Sequence, residues 1–478
     1  MFGGCPVMRI TTTHTMKKLK RQNTKRNKAA AAASASHALG AACHPDAAGI
    51  DIGAEELVAA VPHGRGDAPN VRTFSAFTEG ILALRDWLLS CHIKTVAMES
   101  TGNYWLCACA ALEDAGIEVC LVNARHVKGV PGRKTDVIDA AWLQQLHAAG
   151  LLRASFRPQR EILPLRYLMR HRSDLVAQAG QQVQLMQKVL TEMNLHIQHV
   201  FSDVDGMSAQ AIITAILGGE RDADKLAALR DRRCRSPLAK IKAALVGDYR
   251  AEYLFVLRQC QTRWQQLLAS LAECDTELAR LTAAIAGVTE EPLPAAGFAQ
   301  RRVQKNMPAV LPVYEEAHRL LGVDLSAVPG VSGGVLCVLM SELGTAQHIR
   351  EKFRSAEAFA SWLGLCPDNR ISGGRILKAG TRKVANRIAT ILRLAANSLG
   401  RAKGRMGEFV RRFKGRLGKA EGIVAGAHKL ARIIWAMVVS GQPYDEAKAF
   451  DSTPAATARR LQNLQNQAHS LNMKLVPA

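Results

Sequence analysis

The order of hydrophobic and polar positions predicts alternating strands and helices between residues 47 and 150. Short apolar runs bounded by turn residues indicate strands, and longer segments with apolar positions three and four apart indicate helices. The predicted order is βββαβαβα. The segments are AAGIDIGAEELVAAVP (two strands around Gly53), VRTFSAF, TEGILALRDWLLSCH (helix), KTVAMES, NYWLCACAALEDAG (helix), IEVCLVN and KTDVIDAAWLQQLHAAG (helix).

The middle of the chain carries a longer helical period. Residues 165–197 and 251–286 each hold an apolar stripe at heptad spacing, which indicates an antiparallel hairpin or a coiled coil between chains. Ordinary packing of one stripe on the other is the simpler alternative. Residues 220–245 predict one or two short helices, and residues 287–310, with three prolines, predict a linker. The two stripes are Val176, Ala179, Val183, Met186, Leu190, Met193 and Ile197, and Leu257, Cys260, Trp264, Leu267, Leu271, Cys274, Leu278 and Leu281.

The last third of the chain reads as mostly helical. LSAVPGVSGGVLCVLMSELG (325–344) predicts a Pro-Gly turn before a helix and is similar to one half of a helix-hairpin-helix, a weak motif by itself. KLARIIWAMVVSG (429–441) predicts an apolar core helix. The final thirty residues are expected to be loosely ordered.

Four acidic residues fall at special places in the first predicted elements. Asp51 lies inside the first strand, where a charge opposes burial unless it meets a metal or a partner, and Glu99 ends the fourth strand. Asp136 and Asp139 are three residues apart and share one helix face. Taken singly, a helix dipole, a cap or solvent explains each acid. Together they predict an oxygen cage for Mg²⁺ or Mn²⁺ and two-metal phosphoryl chemistry on a ribonuclease-H-like sheet, although other α/β sheets share the strand order.

Charge adds a polyanionic partner to this picture. The 478-residue chain has a net charge of +22, of which residues 1–40 carry +8 and residues 370–432 carry +15. The first block predicts a disordered basic tail, although a mitochondrial transit peptide has a similar composition. Aromatic residues make up 5%, so we do not expect a protein that binds mainly by stacking bases. No uncharged apolar run approaches about 18 residues, so we expect no membrane span, and the scattered cysteines indicate reduced thiols.

The second basic block begins beside a serine. In DNRISGGRILKAG, Ser372 lies on a predicted loop among cations, which lower the cost of an alkoxide and stabilise a charged transition state. Ser372 is therefore a candidate nucleophile toward a phosphodiester, and the alternative is a turn serine that caps the basic helix beyond it. Farther on, Phe409 and Phe413 share one helix face. Phosphate contacts are assigned to Arg370, Arg375, Lys378, Arg382, Lys383 and Arg387, with Arg382, Lys383, Arg387 and Arg393 on the predicted basic helix.

Several of these segments are similar to one family. GIDIGAEEL, AMESTGNYW and VNARHVKGVPGRKTDVIDAAWL resemble the DEDD transposases of bacterial insertion sequences, which are related to the Piv and MooV DNA invertases. GLCPDNRISGGRILKAGTRKVANRI resembles the family's C-terminal block, with Cys366 where Ala is more common and Thr381 after Gly380. The resemblance covers about residues 46–200 and 320–440.

The resemblance implies a function for both sets of residues. It implies a RuvC-like domain whose acids are Asp51, Glu99, Asp136 and Asp139, and a catalytic serine at Ser372 that forms a phosphoserine link to DNA. It further implies Mg²⁺ (or Mn²⁺), donor and target DNA recognised through a structured noncoding bridge RNA, and a dimer or tetramer whose subunits each supply part of the active site. We expect such a protein in the bacterial cytoplasm, associated with the nucleoid when bound to DNA.

Two other functions remain open, and the sequence predicts five parts. A metal-dependent RuvC-like junction endonuclease would use the same acids to activate water and leave Ser372 as a cap. A catalytically silent nucleic-acid-binding relic is disfavoured because all four acids and the serine are present. The predicted parts are a basic tail (1–45), a RuvC-like DEDD domain (46–160), a helical coiled-coil region with its linker (161–310), a helical C-terminal transposase domain (311–442) and a tail (443–478).

Overall fold

The chain divides after Phe156 into two compact units in the computed structural model. The division into five domains stays a prediction. The structure describes residues 42–66, 69–99, 102–123, 136–295, 301, 304–378, 380–450, 454–470 and 472–474. The predicted basic tail lies outside the described residues except for its last four positions.

The N-terminal unit contains a five-stranded mixed sheet. Strands β1 to β3 form antiparallel neighbours, and β4 and β5 run parallel to β1. The order across the sheet is β3-β2-β1-β4-β5. The predicted strands are confirmed, with ends shifted by a few residues. They are β1 (Ala47–Ile52), β2 (Glu56–Ala60), β3 (Val71–Ser75), β4 (Thr95–Glu99) and β5 (Glu118–Val122).

Helices cover both faces of this sheet. The larger core lies under α1 (Thr78–Ser90) and α2 (Trp105–Asp114), where alternate β1 residues such as Ile50 contribute to a buried apolar cluster. The opposite face is covered by α3 (Asp136–Ala148), whose Ala140 packs with Val58 and Ala60 of β2. All three helices lie where the periodicity predicts them.

The C-terminal unit begins with a pair of long antiparallel helices, α4 (Leu163–Glu192) and α8 (Ala251–Ala283). The two predicted helices are confirmed, but the first predicted apolar stripe extends beyond the end of its helix. Because α4 ends at Glu192, Met193 and Ile197 lie beyond it and pack with the short helices that close this end of the pair. Those helices are α5 (Met207–Leu217), which the sequence did not predict, α6 (Ala223–Ala228) and α7 (Leu238–Ala244).

Among the described residues, the regular elements in the rest of this unit are helices and one two-stranded hairpin. Two helices, α16 and α17, occupy the region that was expected to be loosely ordered. The elements are α9 (Val313–Leu321), α10 (Gly333–Leu343), α11 (Ala346–Lys352), α12 (Ala356–Trp362), β6 (Arg370–Ser372), β7 (Arg375–Lys378), α13 (Arg387–Leu399), α14 (Arg405–Leu417), α15 (Lys419–Ser440), α16 (Glu446–Phe450) and α17 (Pro454–Ser470).

Helix α15 is long and apolar enough to cross a membrane by length and composition, although Lys429 and Arg432 interrupt its apolar run and no span was expected from the sequence. Half of its apolar window is buried inside the fold. Leu430 and Ile434 are almost fully buried, and α12, α13 and α14 pack against this helix. These contacts are those of a core helix.

Candidate functional site

Two of the predicted acids lie side by side at the end of the sheet. In the parallel register of β1 and β4, Ile50 is opposite Met98, so Asp51 and Glu99 follow at the next level. Neighbouring strands lie about 4.8 Å apart, and residues in register point to the same face. Both carboxylates are half-buried. The sequence prediction that Asp51 and Glu99 converge is therefore supported by the sheet register.

The face on which they lie is the one covered by α3. A Cβ on Gly49 would lie 2.3 Å from the backbone nitrogen of Gln144 in α3. On β4, Thr95 Oγ1 is 2.8 Å from Nε2 of His147, also in α3. Because side chains alternate along a strand, Asp51 shares the face of Gly49 and Glu99 shares the face of Thr95.

The first turn of α3 lies at the same end of the sheet. The helix runs antiparallel to β1, since the backbone N–H of His44 donates to the Ala148 carbonyl at 3.0 Å, while the Ala140 carbonyl lies beside Gly49. One helical turn before Ala140, about 5.4 Å, the chain reaches Asp136. Two strand residues beyond Gly49, about 6.6 Å, it reaches Asp51. The helix start and the two strand carboxylates are thus at one level.

Asp139 belongs to the helix stripe that faces the sheet. Asp139 is half-buried and lies one turn before the buried Leu143. Asp136 is the first residue of α3, and its side chain lies outside the described residues. Among the described side chains, no three Asp, Glu, His or Cys groups are close enough together to hold a metal ion. The donors present are carboxylates at one end of the sheet, which fits the oxygen ligands that Mg²⁺ takes.

Helix α3 is held on the sheet by polar contacts that sequence reasoning missed. Gln144 Nε2 donates to the Ala47 carbonyl at 3.2 Å, and the His147 ring stacks on His44 with centroids 5.2 Å apart. Burial lowers the pKa of His147 to about 4, and the charge of His44 acts in the same direction. His147 is therefore neutral at physiological pH and bonds Thr95 as a neutral ring. The sequence signal for these contacts is helical spacing, which places Gln144 and His147 on the same side of the helix as Asp136 and Asp139.

The close approach at Gly49 gives a stability prediction. Gly49→Ala places a methyl group 2.3–2.4 Å from two backbone atoms of α3, so the helix must move away from β1. We expect a loss of roughly 1–3 kcal/mol in unfolding free energy, measured by denaturant unfolding of the full chain. Gly180→Ala in α4, where nothing lies within 4 Å, is the control and is expected to be neutral or stabilising. Equal stability of both variants would contradict the close packing.

Ser372 lies at the end of strand β6, which corrects the prediction of a loop. It pairs with Arg375 across a two-residue turn formed by Gly373 and Gly374, whose φ angles are 54° and 75°. Both central residues need positive φ, so the two glycines fit a hairpin turn. Ser372 and Arg375 are exposed. The hairpin therefore presents the serine hydroxyl beside a guanidinium at its tip.

The helix-cap alternative for Ser372 is wrong. The cap of α13 is Asn386, whose Oδ1 accepts from the backbone N–H groups of Ile388 (2.9 Å) and Ala389 (3.1 Å). Ser372 therefore does not cap α13.

The basic residues after the hairpin are distributed differently from the prediction. Arg382 and Lys383 precede α13, which begins only at Arg387. The chain between Gly380 and Asn386 leads away from the hairpin, and Asn386 caps α13. The guanidinium of Arg382 donates to the backbone carbonyl of Ser361 at the end of α12. Lys383, Arg387 and Arg375 are exposed, whereas the side chains of Arg370 and Lys378 lie outside the described residues.

Comparison with known proteins covers both sets of residues. Residues 48–195 match a family model of DEDD transposases of the IS110 group, and residues 324–411 match the transposase model of the IS116/IS110/IS902 family. No curated protein matches the chain. The first match includes all four acids, and the second includes the hairpin with Ser372. The segments that carry the sequence resemblance are thereby confirmed, and the two matches support an insertion-sequence transposase of the IS110 family.

Proposed function

We propose that this transposase moves an insertion sequence by metal-assisted strand cleavage and exchange, with Ser372 as the nucleophile. The observation that carries the proposal is the hairpin tip, where an exposed serine faces Arg375 across a Gly-Gly turn. Attack of the serine oxygen on a DNA phosphate would break one phosphodiester bond, free one strand end and leave a phosphoserine link. The guanidinium of Arg375 would bind the phosphate whose negative charge increases during attack.

The second half of the proposal concerns the carboxylates. The antiparallel β1–β3 ribbon followed by two parallel strands supports a RuvC-like, ribonuclease-H-like fold for the N-terminal unit. In that arrangement Asp51, Glu99, Asp136 and Asp139 would hold Mg²⁺ or Mn²⁺. When bound, the ion would stabilise charge on the scissile phosphate. The carboxylates' own role is to position the ion at the end of the sheet.

The proposed partners are DNA, a structured bridge RNA and further copies of the chain. Along the pair of α4 and α8, several apolar side chains are only partly covered within the described chain. Trp264 and Leu267 are half-buried, and Leu185 and Leu268 are about 40% exposed. This pattern supports a coiled-coil arm that also contacts another subunit, consistent with a dimer or tetramer.

A glycine turn precedes α10 in the C-terminal unit, where Gly330 has a φ of 90°. This turn before a helix start supports the predicted similarity to half of a helix-hairpin-helix.

A junction endonuclease remains the second candidate, because the carboxylates belong to a compact unit of their own. Such an enzyme would activate water and would need no covalent intermediate. One experiment separates the two functions. The purified chain is incubated with Mg²⁺, RNA transcribed from the noncoding DNA that flanks its gene, and labelled element ends. The proposal predicts a protein–DNA adduct that survives denaturation, whereas cleavage without an adduct favours the endonuclease.

The exposed cations near the hairpin give a prediction for DNA binding. Arg375→Gln, Lys383→Gln and Arg387→Gln combined should reduce the slope of log affinity against log salt by about 0.9 for each phosphate that is no longer neutralised. Arg382 is left in place because it bonds Ser361. Duplex titrations at several salt concentrations measure the slope. A triple variant with the same charge change, Lys188→Gln, Lys225→Gln and Arg280→Gln, is the control. An unchanged slope in the first variant would show that these three residues do not contact DNA phosphates.

A further inference from the structure

A row of aromatic rings and guanidinium groups runs along one flank of α14. The rings of Phe409 and Phe413 lie with centroids 4.5 Å apart. The Arg412 guanidinium carbon lies 5.7 Å and 5.5 Å from these two centroids, and that of Arg416 lies 5.0 Å from the Phe413 ring. We call these four side chains the aromatic–arginine ladder. The two rings are half-buried and both arginines are exposed.

The ladder is separate from the face that attaches α14 to the fold. That face is formed by Met406 and Val410, which are almost fully buried. It approaches α15 so closely that a Cβ on Gly422 would lie 2.5 Å from the Lys414 backbone nitrogen. The rings lie about 100° around the helix from this face, because they are one residue away from the buried positions. The two rings therefore lie beside the face that packs on α15 and are not part of it.

One end of the ladder is extended by another aromatic ring. Phe450 of α16 lies with its centroid 5.9 Å from that of Phe409, and the Lys429 ammonium lies 4.9 Å from the Phe450 ring centre. A cation thus lies over an aromatic ring at both ends of the row. The row therefore combines aromatic surface with positive charge along its whole length.

Helix α14 also has a large excess of positive charge. Helix α14 carries Arg405, Arg411, Arg412, Lys414 and Arg416 against a single acid, Glu408. Arg411 is used internally, since it donates to the Ala402 carbonyl at 2.7 Å. The described contacts of the Arg412 and Arg416 guanidinium groups are with the rings of Phe409 and Phe413. Their N–H groups are donors that suit an anionic partner.

We propose that the aromatic–arginine ladder binds an unpaired DNA strand, with bases stacked on Phe409, Phe413 and the Arg412 plane, and phosphates paired with Arg412 and Arg416. A duplex hides its base faces, whereas every unpaired base offers one. The inference rests on the proposed function in one respect, because strand exchange is the step that exposes unpaired DNA. A low overall aromatic content is compatible with it, since two rings form the platform.

The test compares a labelled 20-nucleotide oligo(dT) with a labelled 20-base-pair duplex, bound to the full chain without metal. Phe409→Leu with Phe413→Leu keeps an apolar side chain at both positions but removes both rings. We expect affinity for oligo(dT) to fall roughly tenfold for each base that loses its ring, with duplex affinity changed less than twofold. Phe255→Leu, on α8, replaces a phenylalanine that is 63% exposed and is the matched control. Equal losses for both DNAs, or no loss, would overturn the proposal.

A second variant covers the case in which the leucine pair fails to fold. Arg412→Gln with Arg416→Gln should weaken oligo(dT) binding and lower its salt slope, while thermal unfolding followed by circular dichroism stays unchanged. Cross-linking with 5-iodo-deoxyuridine should label the peptide that contains Phe409 and Phe413. Tighter binding of oligo(U) than of oligo(dT), lost in the same variants, would assign the ladder to RNA and overturn the DNA proposal. Ser372→Ala is expected to bind oligo(dT) normally, so failure of the ladder and failure of the serine mechanism are distinguishable.

Discussion

Replacing Ser372 with alanine should abolish the covalent protein–DNA adduct and reduce recombination by roughly a factor of 10⁶, the scale for loss of a serine nucleophile. The loss should lie in chemistry alone, because Ser372 is exposed at a hairpin tip and Asn386, not Ser372, caps α13. Unfolding temperature and duplex affinity should therefore match those of the unchanged chain. The measurement is denaturing electrophoresis of a reaction with labelled element ends.

Ser398→Ala is the matched control for this prediction. Ser398 is an exposed helical serine whose hydroxyl donates to the Ala395 carbonyl at 2.7 Å, so its loss should leave the adduct intact. An adduct that persists in Ser372→Ala would refute the serine nucleophile. Cleavage that continues without any adduct, in the unchanged chain as well, would favour the endonuclease.

The second large effect is expected at the carboxylates. Asp51→Asn keeps the size of the side chain and removes the charge that would hold the ion beside Glu99. Loss of metal assistance is worth several kcal/mol, so cleavage should fall by about a thousand-fold. In the unchanged chain, Mg²⁺ should raise the unfolding temperature because it binds only the folded state, and Asp51→Asn should lose most of that increase.

Asp86→Asn supplies the control for charge alone. Asp86 lies on α1 with 62% of its side chain exposed and pairs with the neighbouring Arg85. We expect this variant to keep both cleavage and the Mg²⁺-dependent rise in unfolding temperature. If Asp51→Asn retained both properties, the carboxylates would have no metal role, and the proposed mechanism would lose its second half.

The elements of the N-terminal unit were predictable because their signals are local. Apolar alternation and glycine turns defined β1 to β5, and a 3.6-residue period defined α1 to α3. The hairpin of β6 and β7 was missed because its strands have three and four residues, and its apolar Ile371 and Leu377 are 63% and 70% exposed. Two such short strands, whose described apolar side chains are exposed, leave little periodic pattern to read.

The basic residues that follow Ser372 were partly misassigned for a related reason. The sequence places Arg382 and Lys383 beside residues that favour a helix, so they were assigned to α13. The structure starts α13 at Arg387, because Asn386 caps it and Arg382 instead bonds the Ser361 carbonyl. That bond joins residues 21 positions apart, and such contacts have no local signature.

The sequence by itself determined the type of chemistry available: four carboxylates on alternating strands and helices, a serine among cations, and motifs that resemble one transposase family. Only the tertiary structure decided which of these residues are neighbours. Asp51 and Glu99 share a level because β1 and β4 pair in parallel register, and the first turn of α3 joins them because Gly49 admits the helix backbone. Strand register and helix approach depend on contacts between distant residues, whereas periodicity and composition record only neighbours along the chain.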